Sequence, residues 1–373
     1  WSWRQAVYRF VSRLTPDDTE VIAAQLYVDM LKAGYTAVGE FHYLHHAPDG
    51  APYDDPAEMS HRIAAAADRS GIGLTLLPVL YAQGGFDGAP TEEGQRRYVC
   101  DLDTYSRIVE TVYAQGDAYS AGVAPHSLRA VGSDALQIAI ELAGEHPIHI
   151  HIAEQTREVE ECLAWSGARP VEWLLQNAEV DGRWCFVHAT HMAAAETRAL
   201  AESGAVAGLC PMTEADLGDG IFPAEAFITA KGRIGIGSDS NVVVDGAEEL
   251  RLLEFGQRLI HRKRNLLRLP GRASTGANLF ELAVHGGAGA IGREDSGITV
   301  GSSADFIVLD GAAPLLAEKS GDDVLDTFIF SGGRSLIRDV FVGGRAVVTE
   351  GRHDAESEIS REFSRVMKRL LSE

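Results

Sequence analysis

Disulfide chemistry has little to work with in this chain. Only four cysteines, Cys100, Cys162, Cys185 and Cys210, occur in 373 residues, and none forms a CxxC pair. Their spacing is not that of a disulfide framework, so reduced thiols in a cytoplasmic protein are the expectation. No apolar run is long enough to span a bilayer, and no charged-then-apolar leader is recognised at the opening. No GxGxxG follows a strand-like segment, so the phosphate-cradling turn of a dinucleotide fold is missing. The Gly-rich GGF and HGGAGAIG runs read instead as turns and close helix packing. Positive charge is scarce as well. Lys+Arg 33 against Asp+Glu 54 gives 33 − 54 = −21, a sign that disfavours nucleic acid and anionic membrane as partners. An anionic ligand would need a few local arginines to hold it.

What is present has the balance of an ordinary soluble globular protein of enzyme size: 45% apolar and 23% charged residues. The length suits a large barrel with an appendage. Thr15 before Pro16, acids in the first turn and a stop at Gly34 mark a helix. Short apolar segments then alternate with amphipathic ones. Strands are expected at YTAVGEFHY, IGLTLLPVLY, YSAGVAPHS, PIHIHIAE, WCFVHATHM, AVAGLCPMT and RIGIGSDSN. Seven parallel strands with helical crossovers point to a (β/α)8 barrel whose first strand lies upstream of Trp1. The opening WSWRQAVYRF has no initiator Met and reads as the middle of an ordered segment, which agrees with that expectation. Toward the C-terminus, GSSADFIVLDG, TFIFSGG and IRDVFVGGRAVVTEGRH read as β segments, and SEISREFSRVMKRLL as a closing helix. The expected division is a catalytic barrel over 1–292, a segment of a small β-sandwich over 293–353, and a helix over 354–373.

The chemistry concentrates at strand ends. In HIHIAEQ, alternation sends Ile148, Ile150 and Ile152 to one face and His149, His151 and Ala153 to the other. Two imidazoles on an apolar strand need hydrogen-bond partners or a metal. Taken alone, the pair reads as satisfied core histidines. In FVHATH, His188 shares the side of Phe186 and Trp184. In RIGIGSDS, Gly235, Gly237 and Asp239 oppose Ile234 and Ile236. If the isoleucines pack on the helices, His151 and Asp239 point inward at the C-terminal rim, where barrel enzymes carry their chemistry. Imidazoles and a carboxylate converging there suit a divalent metal such as zinc. Glu154, just past the strand, is placed to move protons.

HIHIAE, FVHATH and GIGSDS resemble the fifth-, sixth- and eighth-strand motifs of the amidohydrolase superfamily, in its mononuclear deaminase branch. GEFHYLHH, GVAPHSLRAV, HIAEQTREVEEC, TEADLGDGIFP and EELRLLEFGQRL resemble, more narrowly, the deiminases that act on N-formimino-L-glutamate. The resemblance implies Zn2+, one per subunit, with other divalent metals as alternatives. It implies His151 and Asp239 as metal ligands, Asp239 also taking a proton from the attacking water. His188 would hydrogen-bond that water or the substrate, and Glu154 would carry the proton to the leaving nitrogen. Arg4, Tyr43, His126 and Arg129 would bind the carboxylates of a small dicarboxylate substrate, and a homodimer is expected. The superfamily's HxH pair, source of two further histidine ligands, has no counterpart here and is expected upstream; His42, His45 and His46 follow the second strand and do not replace it. A purine, pterin or triazine deaminase or chlorohydrolase of the same superfamily is the alternative reading. A noncatalytic scaffold of this fold is disfavoured because His151, Glu154, His188 and Asp239 are all retained.

Overall fold

The computed structural model describes residues 2–293 and 296–372, with side chains from Val7 onward. The chain divides into two compact units, one of residues 1–31, 37–148 and 352–373, the other of 32–36 and 149–351.

The first unit contains helices α1 (Ser2–Val11) and α2 (Pro16–Lys32), strand β1 (Ala37–His42), α3 (Glu58–Ser70), β2 (Gly73–Leu80) and α4 (Leu102–Tyr113). It continues with β3 (Ser120–Ala121), β4 (Ala124–Pro125) and α5 (Ser133–Ala143). Helix α2 starts where the sequence places it. The Thr15 amide donates to Asp18 Oδ2 at 2.9 Å, and the Asp18 amide donates back to Thr15 Oγ1 at 3.2 Å, a reciprocal cap. β1 runs parallel to β2, from Ala37 opposite Gly73 to His42 opposite Pro78. β3 and β4 also pair parallel with β2. Leu76, Leu77, Val79 and Leu80 are fully buried, as expected for a parallel strand covered on both faces. The expected single strand over 119–127 is thus two short pieces. Between them a Cβ on Gly122 would collide with the Pro147 carbonyl, so the backbones approach too closely for a side chain.

The second unit carries a four-stranded sheet in the order β5 (Ile148–Ile152), β6 (Trp184–His188), β7 (Val206–Leu209), β8 (Arg233–Ile236). The β6–β7 and β7–β8 pairs are parallel. Helices α6 (Thr156–Ser166), α7 (Pro170–Asn177), α8 (Ala194–Ser203), α9 (Pro211–Leu217) and α10 (Ala224–Thr229) connect these strands. α11 (Gly246–His261) and α12 (Thr275–Ala290) follow. Glycines in α12 permit close packing on β8: a Cβ at Gly286 would overlap the Ile234 carbonyl. That is the helix-packing role expected of the HGGAGAIG run.

β9 (Phe306–Leu309), β10 (Ile337–Val342) and β11 (Arg345–Thr349) form an antiparallel sheet. The TFIFSGG segment is not a strand. It continues α13 (Asp322–Thr327) as a wide helical turn over Phe328–Gly332. Phe328 meets Phe280 of α12 with ring centroids 6.4 Å apart, and Phe330 stacks on Phe255 of α11 at 5.9 Å. Burial against two helices overrides the β propensity of a Phe-Ile-Phe run. The closing helix, α14 (Glu356–Ser372), belongs to the first unit.

Candidate active site

Four non-glycine residues at the ends of β5, β6 and β8 adopt left-handed backbone: Ala153 (φ +50°), His188 (φ +69°), Ala189 (φ +48°) and Asp239 (φ +41°). Such conformations cost about 1–3 kcal/mol each and persist only where neighbours enforce them. The enforcing contacts are visible. Glu158, in the first turn of α6, accepts from the Ala153 amide at 3.0 Å and the Glu154 amide at 3.1 Å. The Ala189 amide donates to the Ile152 carbonyl and the His191 amide to the Ala153 carbonyl, both at 3.0 Å. The Ser238 carbonyl accepts from the Asn241 amide at 2.8 Å and from Thr213 Oγ1 at 3.0 Å.

These turns correct the strand-alternation argument for Asp239. β8 ends at Ile236, three residues earlier, so a left-handed turn aims the carboxylate. A Cβ on Gly235 would meet the Gly287 backbone of α12 at 3.3 Å, so Gly235 faces the helix. His149 fulfils the bland reading of the histidine pair: its Nε2 lies 2.6 Å from the Ala290 carbonyl, and burial holds its pKa down to about 4.

His151, two residues along the same strand, meets a different neighbour. Its ring centroid lies 5.4 Å from that of His188, with the planes 33° apart. His188 is 1% exposed. Its Nδ1 lies 3.3 Å from Glu214 Oε1, and its Nε2 lies 3.6 Å from Asp239 Oδ2. That buried Nε2 has no hydrogen-bond partner. Burial alone would push the His188 pKa down, but the Glu214 hydrogen bond and the charges of Glu154 and Asp239 hold it up at about 9. Asp239 keeps a third of its side chain open to solvent. The surrounding protein raises its pKa, against the pull of His188.

The structure therefore groups His151, His188 and Asp239, with Glu154 near enough for its charge to act on His188. It adds acids to which the sequence reading gave no role. Glu214 belongs to α9. Asp219 accepts from Gln155 Nε2 at 3.1 Å, and its pKa is raised to about 6 by burial and by Glu154. Both lie in the TEADLGDG stretch after β7, whose three acids in eight residues were the available signal.

The donor set suits a divalent cation. A buried imidazole nitrogen without a partner faces a carboxylate, and the ligand atoms of His188, Cys210 and Asp239 lie within 4.8 Å of one another. Burial, then the nearby carboxylates, raise the Cys210 thiol pKa well above its ordinary value, which disfavours the thiolate that a metal would need. The remaining N and O donors match zinc and its neighbours in the first transition row.

Of the residues expected to bind carboxylates, three lie in the first unit. Tyr43 packs edge-on against Tyr98 at 4.8 Å and lies 6.1 Å from the His126 ring, which also contacts Tyr81 at 4.7 Å. His126 Nδ1 lies 3.0 Å from Ser127 Oγ. Arg129 is half-buried, and its carbonyl accepts from Gln83 Nε2 at 3.4 Å. Arg4 lies outside the described side chains. His45 and His46 are each bonded through Nε2 to backbone carbonyls at 2.8 Å, of Val79 and Val99.

A parallel α/β sheet with imidazoles and a carboxylate at its strand ends defines a metal-dependent hydrolase class, and residues 1–347 match the amidohydrolase family. The chain belongs to that family. It is 53% identical over 376 residues to formimidoylglutamate deiminase of Pseudomonas aeruginosa, covering 100% of this chain and 83% of that protein. An amidohydrolase crystal structure from Brucella melitensis superposes with a TM-score of 0.96 at 51% identity, covering 100% of this chain and 83% of the other. The fold is also that of an adenosine deaminase from Xanthomonas campestris solved with bound zinc. There the TM-score is 0.80 at 22% identity, over 98% of this chain and 78% of that one.

Proposed function

We propose that this chain hydrolyses N-formimino-L-glutamate to N-formyl-L-glutamate and ammonia. The observation that carries the reading is the full-chain likeness to a formimidoylglutamate deiminase, joined to the His188–Asp239 contact at the strand ends. A purine or triazine substrate, the alternative within the family, has only the more distant relatives in its favour.

His151 and Asp239 would hold the divalent cation, zinc by analogy with the Xanthomonas campestris neighbour. When bound, the cation supplies an acidified water as nucleophile near neutral pH. The chain's own groups then handle protons and orientation. Asp239 accepts a proton as the water oxygen attacks the formimino carbon. His188, through Nε2, hydrogen-bonds the oxygen that becomes the formyl carbonyl. The two protons the water gives up, one taken by Asp239 and one released as the formyl carbonyl forms, are carried by Glu154 to the terminal nitrogen, because an amine leaves only once protonated. The C–N bond breaks and ammonia departs. Arg4, Tyr43, His126 and Arg129 are assigned to the two carboxylates; an arginine fork matches a carboxylate bidentately, which the −21 background requires. The accompanying architectural reading is a (β/α)8 barrel over 1–292, a segment of a β-sandwich over 293–353 and a final helix over 354–373, working as a homodimer in the cytoplasm. Among the described residues no helix is long and apolar enough to cross a membrane.

The test is ammonia release from N-formimino-L-glutamate by zinc-loaded protein, with adenosine and S-adenosylhomocysteine as comparison substrates. Turnover of a purine nucleoside with none of the formimino compound overturns the proposal.

A further inference from the structure

Glu214 is buried, 3% exposed, and stands behind His188 on the side away from Asp239. Its Oε1 accepts from the Cys210 amide at 3.0 Å and lies 3.3 Å from His188 Nδ1. The Cys210 amide anchors the carboxylate to the end of β7, and Pro211 at the first turn of α9 sets the direction in which Glu214 projects. The imidazole is thus clamped along one line: carboxylate, Nδ1, ring, Nε2, Asp239. An ionised carboxylate can only accept.

We infer that Glu214 is a positioning residue. It keeps a proton on Nδ1 of His188 and turns Nε2, the atom left without a protein hydrogen bond, toward the oxygen that reacts beside Asp239. The inference rests on the deiminase reading for the identity of that oxygen, but the Nδ1 proton it assigns belongs to the protein alone. The same arrangement, a buried acid behind a histidine that handles a reacting oxygen, orients the ring in other hydrolases.

The test uses the full chain in two variants. Glu214→Gln keeps an oxygen acceptor for both the Cys210 amide and Nδ1–H, while Glu214→Leu keeps neither. Nitrogen NMR of histidine-labelled, metal-free protein, with the His188 signal assigned by its loss in His188→Asn, should show protonated Nδ1 in the wild type and in Glu214→Gln. Glu214→Leu should lose that signal. With matched zinc content, kcat should fall roughly a hundredfold in Glu214→Leu and about tenfold in Glu214→Gln, KM staying within about threefold in both. A wild-type His188 protonated only on Nε2 overturns the inference. So does a kcat in Glu214→Leu within about threefold of wild type; if that variant does not fold, the wild-type Nδ1 signal decides alone. Inactivity of the wild type on N-formimino-L-glutamate, with the Nδ1 signal present, overturns the substrate reading and leaves the Glu214 clamp standing.

Discussion

At the scale of single residues, Glu154 separates a catalyst from a folded look-alike. A helix-capping role would account for an acid at this position, since anions favour helix N-termini. The N-cap of α6 is Gln155, no side chain caps it in the ordinary way, and Glu158 takes the preceding amides. Glu154→Gln should therefore leave the melting temperature and zinc content unchanged while ammonia release falls at least about a hundredfold. Near-normal release at matched zinc would return Glu154 to a structural part. Arg129→Ala tests the other end of the substrate. A desolvated arginine–carboxylate pair is worth roughly 2–5 kcal/mol, so kcat/KM should drop by a factor of about thirty or more. An unchanged kcat/KM removes Arg129 from the carboxylate site.

Among elements, the contact of α12 with β8 makes a prediction against helix propensity. Alanine in place of glycine inside a helix ordinarily stabilises by about 1 kcal/mol. At Gly286 the added methyl would overlap the Ile234 carbonyl, and overpacking costs about 1–3 kcal/mol. Gly286→Ala should lower the urea midpoint, and a raised midpoint would show that the helix moves away freely. Gly287→Ala is the control, since a Cβ there meets nothing within 4 Å. Elements were also where the sequence was most readable. All seven expected strand segments formed, because short apolar runs between capped helices leave few alternatives. What failed had tertiary causes. The third strand broke where Gly122 meets Pro147, and TFIFSGG coiled because its phenylalanines had aromatic partners on two other helices. At the site, alternation puts His151 on the face that meets His188 but stops short of Asp239, which a left-handed turn places. Glu214 and Glu158 escaped notice because an acid in a first helical turn looks like ordinary dipole compensation.

For the molecule as a whole, buried histidines set the acid limit. His42 and His149 are held down to about 4 and His45 to about 3, burial being the largest cause in each. A depressed folded pKa means stability that is complete above the unfolded value of about 6.5 and is lost as pH falls toward 4. Each such group steepens the loss by up to about 1.4 kcal/mol per pH unit. Glu249 acts in the opposite sense. Its pKa is raised to about 8 by burial, so its contribution is complete below about pH 4.5 and fades as pH rises through 8. Urea midpoints measured from pH 4 to 9 should therefore peak between about 6 and 7.5 and fall steeply on the acid side. A flat profile from 6.5 down to 4 would falsify the assignment of neutral, buried imidazoles. One last consequence follows from the left-handed turns at Ala153, His188, Ala189 and Asp239. Glycine would relax each backbone, but at His188 it would also strip the partner from buried Glu214. A library selected only for heat resistance should therefore accumulate glycine at Ala153 and Ala189 and keep His188.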